Sequence, residues 1–139
     1  MDDKRQGKGR MVFGKKEPDH KYYEGDFQDN MYHGMGKFVW VSGTTYEGEF
    51  EHSKPEGQGR IEYASGLVYR GHWKTGEWDG LGKELYKEGG YRYGGYEHGQ
   101  RDGNFLFVNP KGYTICEHWN QGTVTTVDDS KCKKLRDEH

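Results

Sequence analysis

The sequence predicts an all-β protein built from one repeated strand-turn-strand unit, and three observations carry the prediction. A single pattern is written three times between Tyr23 and Gly89 with a step of 23 residues, and self-similarity at a period of roughly 20 to 50 residues is the mark of a repeat architecture. Inside each copy apolar and polar residues alternate, the period of a strand whose side chains point to opposite faces in turn. Glycines recur at fixed places in every copy, where a turn or a close approach of rings over bare backbone needs a residue without a side chain.

The copies open with Tyr23-Glu24-Gly25-Asp26-Phe27, Tyr46-Glu47-Gly48-Glu49-Phe50 and Tyr69-Arg70-Gly71-His72-Trp73. Tyr, Gly and Phe or Trp share one face, and the charged residues between them share the other. A turn-like segment such as Gln28 to His33 follows, then Gly34-Met35-Gly36, Gly57-Gln58-Gly59 or Gly80-Leu81-Gly82, whose glycines are expected on the aromatic face. An alternating run returns: Phe38 and Trp40, Ile61 and Tyr63, and, in the weakest copy, Leu85 and Tyr86. Gly43, Gly66, Gly89 and Gly112 mark the passage to the next unit.

The ends of the chain are imperfect copies. Residues 1–13 read as a half repeat, because Gly7-Lys8-Gly9 followed by Met11 and Phe13 matches Gly34-Met35-Gly36 followed by Phe38 and Trp40. A longer surface loop, Gly14 to His20 with Pro18, separates it from the full repeats at 23–43, 46–66 and 69–89. Degenerate repeats are expected at 93–112 and 115–127. In the first, Tyr93, Gly95 and Tyr96 stand for Tyr, Gly and Phe, with one residue lost before Gly99. A register slip of two there would let Phe105 and Phe107 replace Phe38 and Trp40. In the second, Glu117 stands between Ile115 and Trp119 where glycine is expected, and Thr123 to Val127 forms a closing strand. Terminal repeats commonly depart from the pattern because they cap an array. Residues 128–139 form a polar tail, in which Asp128, Asp129 or Ser130 caps a short helix carrying Cys132 and Leu135.

The motif Tyr-x-Gly-x-Phe/Trp followed by Gly-x-Gly, present three times in register, resembles the MORN repeat (membrane occupation and recognition nexus). That resemblance implies an elongated, single-layer antiparallel sheet of tandem β-hairpins, used as a binding or scaffolding surface and not as an enzyme. Short proteins of this kind suggest a cytoskeletal setting such as the axoneme of a cilium or flagellum.

Composition narrows the partners. Leu, Ile, Val and Phe make up only 20 of 139 residues, but 15% of the chain is aromatic, so Tyr and Trp carry the burial that aliphatic residues usually supply. A formal charge of −2 with a pI near 6.4 gives no field for a polyanion, so nucleic acid is not an expected partner. An acidic start, no long apolar run and only two cysteines, Cys116 and Cys132, point to the cytosol with both thiols reduced.

No catalytic constellation is found. Asp26, Glu49, His72 and His118 share a repeat column, but that column is expected to face solvent with members about 10 Å apart, too far to share a metal ion. No cofactor, metal or small-molecule substrate is expected. The site-like feature is a pair of aromatic rails on one face, Phe27, Phe50 and Trp73 beside Trp40, Tyr63 and Tyr86, with Trp78 at the margin in the turn before Gly80. A long apolar strip with nothing to cover it marks a partner site, and an extended or helical segment of another protein is the expected ligand. The opposite face strings out Lys37, Arg60 and Lys83 beside Glu24 and Glu47, so attraction to an anionic membrane is expected to be weak.

Overall fold

A computed structural model describes residues 5–138; residues 1–4 of the expected half repeat and residue 139 of the tail lie outside them. Eleven strands form one antiparallel sheet in strict chain order. They are β1 (Gly7–Val12), β2 (His20–Gln28), β3 (Met31–Trp40), β4 (Thr45–Glu51), β5 (Lys54–Glu62), β6 (Val68–Lys74), β7 (Glu77–Leu85), β8 (Tyr91–Glu97), β9 (Gln100–Val108), β10 (Thr114–Asn120) and β11 (Thr123–Thr126). A 3-10 turn at Asp129–Cys132 and a short helix, α1 (Lys133–Glu138), complete the chain. The expected open sheet of tandem hairpins with a short C-terminal helix is therefore the observed fold.

Each repeat is a hairpin closed by two residues of positive φ: Asp29 and Asn30, His52 and Ser53, Thr75 and Gly76, His98 and Gly99, Gln121 and Gly122. Two such residues in succession define the turn whose twist matches that of a β-ribbon.

The two glycines of Gly-x-Gly do different work. The second lies directly beneath a tyrosine. A Cβ on Gly36, Gly59 or Gly82 would collide with the ring of Tyr23, Tyr46 or Tyr69. Each of those tyrosines is fully buried, and each donates its hydroxyl to a backbone carbonyl three residues on, Asp26, Glu49 or His72, at 2.7 Å. The first glycine lies at a register shift, with φ of +65°, +87° and +73° at Gly34, Gly57 and Gly80. There the structure corrects the sequence reading. Gly34 and Gly57 face the carboxylates of Asp26 and Glu49, not the rings, because the extra residues of the bulge turn that glycine toward the other side.

Glycine pairs with glycine across eight strands: Gly9, Gly25, Gly36, Gly48, Gly59, Gly71, Gly82 and Gly94 are successive register partners. On one face of this file the aromatic rings pack edge to face. Phe50 bridges Tyr23 and Tyr46 at 5.2 and 4.9 Å, and Trp73 bridges Tyr46 and Tyr69 at 5.1 and 5.4 Å. Tyr96 then joins Tyr69 to Phe105 at 5.1 Å each. Such pairs contribute about 0.5 to 1.5 kcal/mol each beyond the area they bury, so a single layer makes its core from rings that cover one another.

Three further expectations are corrected. The fourth repeat neither loses a residue nor slips: Tyr96 keeps the position of Phe27, Phe50 and Trp73, and Gly94 pairs with Phe105. Arg92 occupies the tyrosine position, and the missing ring comes from the opposite strand, where Phe105 replaces the glycine and lies against Gly94. In the third repeat Glu84, not Leu85, occupies the column of Phe38 and Ile61, and it is 3% exposed. Finally, the two cysteines are not free thiols. Cys116 and Cys132 form a disulfide, which pins the tail over β9 and β10. Cys132, Leu106 and Cys116 form a second, small core on the opposite face, with Val108, Val127 and Leu135 against it. Asp128 caps the 3-10 turn, accepting from the Ser130 amide at 2.8 Å.

Candidate functional site

The aromatic face holds an open cleft of about 440 Å³, lined by Phe13, His20, Tyr32, Phe38, Trp40, Phe50, Ile61, Tyr63 and Trp73. Sequence alternation places these residues there, and the hairpin step repeats them every second strand. Phe50 and Trp73, 4% and 3% exposed, form the floor, whereas Phe27, equally buried, packs against Tyr23 and Tyr32 outside the cleft lining. Trp40 and Tyr63 are half-buried along one rim. Trp40 leans on Phe38 with ring centres 4.5 Å apart. Burial pushes the Tyr32 hydroxyl up to about 12, and that of Tyr63 up as well, so both are neutral donors at neutral pH.

Trp78 is not a turn residue. It lies within β7, stacked flat on Tyr69 at 4.4 Å with an interplanar angle of 3°. Tyr32 makes the equivalent stack on Tyr23 at 3.9 Å. These positions are one repeat-step apart from Pro55 and Arg101, so the same place is filled by Tyr32, Pro55, Trp78 and Arg101 in turn.

Beyond Trp78 the face changes from apolar to charged, a feature the sequence reading missed. Arg101 donates to both carboxylate oxygens of Glu84, at 2.7 and 2.9 Å. Arg92 does the same to Glu117, at 2.8 and 3.3 Å. Tyr96 donates to Glu84 at 2.8 Å and the Trp119 indole to Glu117 at 2.9 Å. Tyr86, the third residue of the outer rail, accepts from Arg92 at 2.9 Å and so belongs to this network. Burial alone would raise the Glu117 carboxyl, but the Arg92 and Trp119 bonds outweigh it and hold the group below its usual range. The signal was present in the sequence: stepping back 23 residues from Arg92 and Arg101 gives Tyr69 and Trp78.

The column of Asp26, Glu49, His72 and His118 is engaged locally. Asp26 accepts from the Met35 amide at 3.1 Å and Glu49 from the Gln58 amide at 2.6 Å, each closing its bulge. The bond from Lys8, then that from Met35, holds the Asp26 carboxyl below its usual range. His72 Nδ1 lies 3.1 Å from the Asp79 carbonyl oxygen and His118 Nδ1 2.9 Å from Asn104 Oδ1. Among the described residues no cluster of three potential ligands could hold a metal ion, and no helix is long and apolar enough to cross a membrane.

A family model of the MORN repeat matches residues 1–16, 23–45, 46–68 and 69–91, more than half of the chain. A search of curated proteins returns no match. The matched segments end just before Arg92, where the charged network replaces the aromatic pattern. On the matched repeats and the hairpin array they form, the chain belongs to the MORN-repeat family, whose repeats are non-enzymatic modules for binding proteins or membranes.

Proposed function

We propose that this protein is a non-catalytic adaptor or structural subunit that receives a segment of a partner protein in its aromatic cleft. The observation that carries this reading is the cleft itself: rings half-buried along its rim, a floor of buried rings, and, among the described residues, a single-layer sheet with no second layer above them. Large aromatic side chains are the usual anchors of interfaces, at about 2 kcal/mol or more each. A cytoplasmic, cytoskeletal or ciliary assembly is the setting that short arrays of this family suggest. The Cys116–Cys132 disulfide weighs against the cytosolic part of that setting, because reducing compartments keep such pairs as thiols.

The test is affinity capture followed by mass spectrometry with wild type, Trp40→Ala and Tyr63→Ser. Both residues lie on the rim, so the variants should keep the wild-type circular dichroism and lose the cleft partner. Folded variants that capture every wild-type partner would refute the reading. Flotation with anionic liposomes decides between a protein and a membrane ligand.

A further inference from the structure

The face opposite the cleft carries a second surface, created by one break in a charge pattern. Flanking the glycine file, the residues paired across successive strands are Arg10, Glu24, Lys37, Glu47, Arg60, Arg70 and Lys83. Signs alternate as far as Arg60, so each cation has an anion opposite, as between Lys37 and Glu47 at 3.8 Å. Then three cations stand side by side, on β5, β6 and β7.

The break has a specific origin. The position of Glu24 and Glu47 is taken by Arg70 in the third repeat, and that of Asp26 and Glu49 by His72. Both acids of this face are thus lost from the same strand. Like charges directly opposite one another destabilise a sheet, so the arrangement costs stability in the free protein. Among the described residues neither Arg70 nor Lys83 has an ion-pair partner. Lys83 rests on Tyr91 at 4.4 Å, and its ammonium is held below its usual range, first by burial and then by Arg70.

These cations border a trough of about 630 Å³ whose floor is the bare backbone of Gly48, Gly59, Gly71 and Gly82. Its other wall includes Met35 and Leu81, 58% and 47% exposed. Four strands span about 14 Å, the length of about four extended residues. At one end the trough is bounded by Glu138, a carboxylate from the chain's own α1. We propose that this trough is a docking site for a short, extended acidic segment of another polypeptide, with acidic side chains on Arg70 and Lys83, beside Arg60, which already bonds Glu62 at 3.1 Å, and apolar ones on Met35 and Leu81. The glycines let the segment approach the sheet closely, and its carboxylates supply the anion that the third repeat lacks. A flat membrane surface fits less well, because the carboxylates of Glu47 and Glu138 also border the trough.

The site is independent of the aromatic cleft and is tested separately, by fluorescence anisotropy with labelled Glu-Leu-Glu-Leu-Glu-Leu. The control peptide is Lys-Leu-Lys-Leu-Lys-Leu. Vesicles of phosphatidylcholine with phosphatidylserine form a third arm. Wild type should bind the acidic peptide selectively and more weakly as salt rises. Arg70→Glu restores the residue type of the first two repeats, so it should fold, and it should weaken binding by about tenfold or more. Trp40→Ala should bind the peptide as wild type does. If Arg70→Glu does not fold, Lys83→Gln is read by the same criterion. Equal binding of the two peptides, unchanged binding by the folded variant, or binding to vesicles without binding to the peptide overturns the proposal.

Discussion

Replacing Gly59 with alanine tests the architecture at its centre. The new Cβ would fall on the hydroxyl of Tyr46 and within 2.5 Å of its Cζ. That ring cannot yield without loss: it is fully buried, packs against Phe50 and Trp73, and donates to the Glu49 carbonyl at 2.7 Å. Overpacking costs about 1 to 3 kcal/mol, and losing the hydroxyl's bond adds about 0.5 to 1.5 kcal/mol. The expected loss is therefore about 1.5 to 4.5 kcal/mol. For a chain of this size each kcal/mol lowers the melting temperature by roughly 3 to 5 °C, so thermal melts followed by circular dichroism should show a fall of roughly 5 °C or more. Gly14→Ala is the control. Its Cβ would meet nothing within 4 Å, and its effect should stay within about 0.5 kcal/mol. If Gly59→Ala melts with wild type, the glycine file does not exist to seat the tyrosines.

Glu84→Gln should cost about 3 kcal/mol, the low end for breaking a buried pair, by leaving the half-buried Arg101 without its anion, while Glu84→Ile with Arg101→Trp, which restores the residue types of Ile61 and Trp78, should recover most of it; equal melts for the two variants would exclude a coupled pair. Cys132→Ser should cost about 3 kcal/mol for a closed loop of this length. The two cysteines are 16 residues apart, and hydrogen exchange should accelerate in β9, β10 and α1 but not in β2 to β5; acceleration throughout would show one cooperative unit. Burial raises the hydroxyls of Tyr23 and Tyr32 from 10.0 to about 12, and groups raised in the folded state contribute stability that is complete below the unfolded value and lost as pH rises toward the folded one. Melting temperature should accordingly fall between pH 10 and about 12, with tyrosinate absorbance rising in step; full ionisation at pH 10 without unfolding would contradict the burial of these rings.

The period of 23 residues was legible because a repeat states the same constraint several times, and the alternation of Tyr, Gly and Phe sufficed to give the strands and their facing. What escaped was anything that only pairing reveals. Gly34 and Gly36 look alike in sequence, yet the bulge sends one toward Asp26 and seats the other under Tyr23. Trp78 looks like a turn residue because the positive φ of Thr75 in the preceding turn is not written in its chemistry. Compartment alone leaves Cys116 and Cys132 as thiols, whereas the fold brings their Cα atoms to 5.8 Å. Taken strand by strand, Tyr93 passes for the tyrosine of the fourth repeat and Phe105 for a ring slipped by two; only the pairing of Gly94 with Phe105 shows that Arg92 holds the tyrosine position.

Arg92 and Phe105 are better understood as an exchange. In the first three repeats a tyrosine on the first strand covers a glycine on the second. In the fourth, glycine remains on the first strand as Gly94 and the ring is supplied by the second. The place vacated by the tyrosine then receives a guanidinium, which needs an anion, and the next glycine position provides one as Glu117. The same logic acts one strand earlier, where Arg101 stands for Trp78 and Glu84 for Ile61. A chain of edge-to-face rings requires a further ring at each step, and β11, exposed at all four residues, offers none. Two bidentate ion pairs, their carboxylates buried and their guanidinium groups half-buried, close the row with partners drawn from within it. The polar cluster therefore ends the array, much as capping repeats end other solenoids, and it confines the apolar cleft to the hairpins that precede it.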